Sequence, residues 1–111
     1  MRKEDIKPIS DLCKFIESKK GEDVTLFDLS EKQFIVDYSI AVTALNARHL
    51  YSLVGEIEKY LIENNRAIHH IEGNEASGWM IIDCYDMMIN VFSKEERSRL
   101  DYDKLFVNNR E

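Results

Sequence analysis

At 111 residues the chain has the length of one domain with a modest core, and 44% hydrophobic with 10% aromatic residues excludes a largely disordered polymer. Lys and Arg total 15 against 21 Asp and Glu, a formal charge of −6, which argues against nucleic acid as the primary partner, since that affinity rests on basic contacts to phosphate. No apolar run reaches the length of a membrane span, and the opening MRKEDIKPIS holds no apolar signal run, so the expectation is a cytoplasmic protein with reduced thiols at Cys13 and Cys84.

In chain order, Ile9, Leu12, Cys13 and Ile16 repeat at helical spacing, with Pro8 placed for a first turn and Gly21 as a stop. Residues 24–29 read as a strand, residues 30–32 as a loop, and residues 34–43 as a second strand interrupted by Asp37. Asn46 is a helix cap, and Leu50, Leu53, Val54, Ile57 and Leu61 form one apolar stripe behind it, ended by Asn64 and Asn65. Residues 67–72 read as a short strand and residues 73–78 as a loop. Residues 79–84 and 87–92 read as two strands joined tightly at Tyr85 and Asp86. Ser93 and Glu96 have the spacing of a capping box that opens a short charged helix toward Leu100.

The order helix, strand, strand, helix, three strands, short helix predicts an α/β fold. About five strands form a single mixed sheet, with two main helices on one face. Residues 1–20 supply the first helix, residues 21–106 the body of the same domain, and residues 107–111 a frayed tail. Strand alternation places Met80, Ile82 and Cys84 on one face and Trp79, Ile81 and Asp83 on the other. The first set is wholly apolar and is assigned to the core beneath the helices. The second is assigned to a face without helices, where an aromatic and an aliphatic flanked by acid suit a basic protein partner. A core or dimer position remains open for the Trp79 ring.

Order and spacing over residues 21–106 carry a resemblance. Gly21-Glu22-Asp23, Phe27-Asp28-Leu29-Ser30, Val36-Asp37-Tyr38, Asn46-Ala47-Arg48-His49, then Glu72-Gly73 with Trp79, and finally the run from Asp83 to Phe92 follow the motifs of the ribosomal silencing factor family, also called Iojap. The chain departs from that pattern at Tyr85, where the family has a glycine, and at Asn90, where it has a histidine. It departs again at Leu100, Tyr102 and Phe106, where it has Tyr, Leu and Trp. The resemblance implies a translational repressor without catalysis. Such a protein binds large-subunit ribosomal protein number fourteen, sterically blocks joining of the small subunit, slows synthesis when nutrients are short, and forms homodimers when free. It implies a docking role for the C-terminal region, hence for Tyr102, Leu105 and Phe106. It also implies a nucleotidyltransferase-like topology, and relatives in organelles that act in large-subunit assembly.

That topology makes a metal-dependent nucleotidyltransferase the rival reading. Such an enzyme needs carboxylates for metal and a Gly-Ser turn for the triphosphate. The chain has no Gly-Ser, only Ser77-Gly78 in reverse order, and its one Asp-x-Asp is Asp101-Tyr102-Asp103 in a charged segment. Asp86 reads as a turn or strand-entry residue rather than a ligand, and both Asp83 and Asp86 are assigned to the partner face. His69 and His70, adjacent on an expected strand, should point to opposite faces and not share a metal, so no metal or cofactor is expected. Arg48 and His49 at a helix start fit an anion site, or more simply a solvated first turn or a pairing with Asp37. Cys13 and Cys84 read as small core side chains, and the helix bearing Arg97 and Arg99 as a solvated face.

Overall fold

The computed structural model of the chain describes residues 1–32 and 34–107, the last for its backbone alone. Helix α1 (Lys3–Ser18) leads into β1 (Glu22–Asp28) and β2 (Tyr38–Ala44), then α2 (Ala47–Glu63), β3 (His70–Asn74), β4 (Trp79–Asp83), β5 (Met87–Ser93), α3 (Lys94–Leu100) and α4 (Tyr102–Val107). The strands form one five-stranded sheet in the order β1-β2-β5-β4-β3. β2 and β5 run parallel, and the other neighbours are antiparallel, so the sheet is mixed as expected.

The two main helices lie on one face. Ile9, Leu12 and Ile16 of α1 and the stripe Leu50, Leu53, Val54, Ile57 and Leu61 of α2 are buried in a single cluster with Met80 and Ile82 of β4, Cys84 just past its end, and Ile89 and Val91 of β5. Period 3.6 on the helices meets period 2 on the strands, and both put their aliphatic side chains into this layer. The Asn46 side chain accepts from the His49 amide at 2.8 Å and starts α2 as expected. At α3, Ser93 caps the Glu96 amide at 3.1 Å, but the Glu96 carboxylate turns to Arg99 at 2.7 Å and leaves the capping box half made.

Several boundaries differ from the sequence reading, each for a physical reason. α1 begins at Lys3, so Pro8 lies inside it and forgoes one helix hydrogen bond; Glu4 and Asp5 favour the early start at the positive helix end. Gly21 is not the stop: Lys20 takes the left-handed turn at φ 70°. Gly21 instead presses against the core, since a Cβ there would sit 2.7 Å from Ile16 Cγ2 and Val42 Cγ2. β2 begins only at Tyr38, because β1 ends opposite it at Asp28 and β5 begins beside it at Met87. β3 is shifted to His70–Asn74 because the strand it pairs with among the described residues, β4, runs from Trp79 to Asp83. Gln33 and residues 108–111 lie outside the described residues; of the expected tail, Val107 closes α4.

The second sheet face also departs from expectation, because α4 covers part of it. Tyr102 is buried there against Ala41 and Phe92, with Phe27, Trp79, Leu100 and Phe106 packed around them. With both faces covered, every residue of β2 is buried. Arg97, read from sequence as part of a solvated face, holds this arrangement. Its guanidinium donates to both carboxylate oxygens of Asp103 at 2.9 and 2.8 Å, to Thr25 and Thr43 hydroxyls, and to the Asp23 carbonyl. Its side chain is only 11% exposed, so one residue ties α3 and α4 to β1 and β2.

Candidate protein-docking face

The β4–β5 hairpin sets the face. Trp79 stands opposite Phe92, Ile81 opposite Asn90, and Asp83 opposite Met88. Met80, Ile82 and Cys84 point into the main core, and Trp79, Ile81 and Asp83 are half-buried on the other side, as alternation predicts. Burial pushes the Cys84 thiol up to about 11, so it packs as a small apolar group and carries little thiolate near neutrality.

Trp79 does two things at once. Its ring stacks on Phe92 at 5.3 Å between centroids, and its Nε1 donates to Asn90 Oδ1 at 3.2 Å. The open alternative of a core position is thus half realised, and the rest of the ring stays at the surface. Asn90 is 1% exposed and central to a polar network. Its amide donates to the Tyr102 hydroxyl at 2.9 Å, and the Tyr102 and Ser39 hydroxyls bond at 2.6 Å. A buried amide needs such partners, and they fix α4 on the sheet.

The carboxylates have structural duties. Asp83 Oδ1 accepts from the Tyr85 amide at 3.0 Å and shapes the turn, where Tyr85 sits at φ 70°, a conformation natural to the glycine that the family pattern has there. The Asp86 carbonyl accepts from the Asp37 and Tyr38 amides, and its carboxylate lies 3.7 Å from Arg2. Arg2 also pairs with Asp37 at 3.0 Å, so Asp37 is engaged away from Arg48, which is exposed. His49 serves packing: its Nδ1 accepts from the Leu45 amide at 2.9 Å, which leaves Nε2–H to donate to the Lys19 carbonyl at 2.9 Å. Asp103 is held by Arg97 and Asp101 is a left-handed helix end, so the one Asp-x-Asp is built into local structure.

Of the C-terminal candidates, Tyr102 is 8% exposed and covered by its own sheet, Phe106 is half-buried against Phe27, and Leu105 is 52% exposed. Sequence reading missed a neighbouring element of this face. Phe34 is 39% exposed and Ile35 fully exposed; with Leu29, Val36, Met88 and Phe106 they border an apolar depression. Counting residues 34–37 as a strand had assigned these side chains to the sheet. The signal was present in the sequence itself: three consecutive apolar residues before Asp37, more than one strand face needs.

The two adjacent histidines also need correction. His69 precedes β3, so it escapes strand alternation, and the two rings lie together at 4.8 Å between centroids. Ligand atoms of His69, His70 and Asp83 lie within 4.8 Å of one another.

Comparisons with known proteins agree on one family. The family model described as ribosomal silencing factor during starvation matches residues 3–111. A ribosomal silencing factor of Bacillus subtilis is 26% identical over 90 residues, covering 81% of this chain and 76% of that protein. The mouse protein called mitochondrial assembly of ribosomal large subunit protein 1 is 23% identical over 98 residues, 86% of this chain but 43% of that one. A crystal structure of a Chromobacterium violaceum protein superposes with a TM-score of 0.82 at 26% identity, covering 91% of this chain and 85% of that one.

Proposed function

The chain belongs to the ribosomal silencing factor family, and on that premise we propose that it is a regulator of translation that docks on the large ribosomal subunit. The finer reading is that it binds large-subunit protein number fourteen in the cytoplasm and sterically blocks joining of the small subunit when nutrients are short. The observation that carries the docking part is the second sheet face. Trp79 and Ile81 of β4, Leu105 and Phe106 of α4, and Phe34 and Ile35 before β2 leave apolar surface exposed, and Asp83 shares the Trp79–Ile81 side of β4. Aromatic anchors beside carboxylates fit a basic partner, and a net charge of −6 would steer it in. Tyr102 acts by holding α4 in place beneath the contact. The same surface is open to a second copy of the chain, which supports a homodimer when the protein is free.

No step in this reading is chemical, and occupancy alone produces the effect. The test is a subunit-joining assay with purified large and small subunits. Added protein lowers the yield of joined ribosomes in proportion to its binding. Joining unchanged at full occupancy contradicts the blockade. The name of the mouse relative favours a second reading, an assembly factor on an immature large subunit. Deleting the gene separates the two: precursor particles indicate assembly, and faster joining in starved cells indicates silencing.

A further inference from the structure

We propose that His69, His70 and Asp83 form a binding site for a divalent transition ion of the zinc class at the β3–β4 sheet edge. The three ligand atoms lie within 4.8 Å of one another, and His70 Nδ1 is 3.8 Å from Asp83 Oδ2. Tetrahedral zinc bonds of roughly 2.0–2.2 Å place ligand atoms about 3.3 Å apart, so closure needs contractions of up to roughly 1.5 Å. His69 and His70 are exposed, and rotation of their rings supplies that movement without disturbing the core.

The groups around the three donors orient them. His70 and Asp83 are directly opposed across the antiparallel pair, and the His69 amide donates to the Asp83 carbonyl at 2.7 Å, which locks the backbone of all three together. Asp83 Oδ1 is taken by the Tyr85 amide, which leaves Oδ2 facing His70. His70 Nε2 lies 3.4 Å from Glu72 Oε1. A proton on Nε2 facing that carboxylate leaves the Nδ1 lone pair toward Asp83, the arrangement in which an outer carboxylate fixes the tautomer of a metal-bound imidazole. Two imidazoles and one carboxylate select zinc-like ions over magnesium or calcium, which favour all-oxygen shells. Three protein ligands leave a fourth position open.

Calorimetry on the untagged full chain, titrated with zinc chloride and separately with magnesium chloride, tests the site. The expected result is one zinc per chain and no magnesium heat. His69→Ala and His70→Ala should each weaken zinc at least tenfold, and Glu72→Gln about tenfold through the lost orientation. These side chains are at the surface, and circular dichroism checks that each variant folds. Cobalt(II) in place of zinc should give visible absorption bands that the double variant His69→Ala, His70→Ala lacks. No zinc heat in the parent, or zinc heat undiminished in the double variant, overturns the proposal.

Discussion

The two faces of the sheet are built differently. Under α1 and α2 the contact layer is almost wholly aliphatic, closed by two long helices and local periodicity. On the other face a short α4 rests on aromatic rings, a buried amide and one arginine clamp, and much apolar surface stays outside. The first face is insensitive to exact geometry, because apolar contact is non-directional. The second depends on directional bonds among residues far apart in the chain. Stability therefore resides chiefly on one side, and the proposed recognition surface lies on the other.

This division can be broken from either side. Ile57→Ala removes a fully buried side chain from the helix-covered layer and should cost about 4 kcal/mol in chemical denaturation, the largest effect expected. Arg97→Ala and Tyr102→Phe, on the opposite side, should each cost about 2 kcal/mol, by freeing Asp103 and by stripping Asn90 and Ser39 of a buried partner. Hydrogen exchange should show the loss concentrated in α4, with α1 and α2 still protected; uniform loss would mean the faces are not separable. Tyr85→Gly touches neither layer. Relief of the left-handed turn should raise stability by about 1 kcal/mol, read as a higher midpoint in urea.

What was legible in the sequence follows the same line. The stripe of α2, the Asn46 cap and the two sides of β4 are local patterns, and all three appear as read. The start of β2 and the extent of β3 were not, because a strand ends where its partner ends, and Asp28, Met87 and Asp83 lie elsewhere in the chain. α4 was hidden because the arginine that holds it, Arg97, bonds Asp103 of α4 and at the same time Thr25 of β1, 72 positions away. For the candidate face, alternation found Trp79, Ile81 and Asp83, but the exposed Phe34 and Ile35 were masked by a strand drawn too long. The approach of His69 to His70 was invisible for a related reason, since it depends on His69 lying just outside β3.

The central claim is that the second face, and not the helix-covered side, meets the large subunit. Co-sedimentation of purified large subunits with Ile81→Glu and Ile62→Glu, side by side, tests it most directly. Ile81 lies half-buried on the candidate face, and Ile62 is 62% exposed on α2, on the opposite side of the molecule. Ile81→Glu should weaken association at least tenfold, by putting an unpaired charge into a desolvated contact, while Ile62→Glu binds as the parent does. Association unchanged by Ile81→Glu, or lost with Ile62→Glu in a folded protein, would contradict the account.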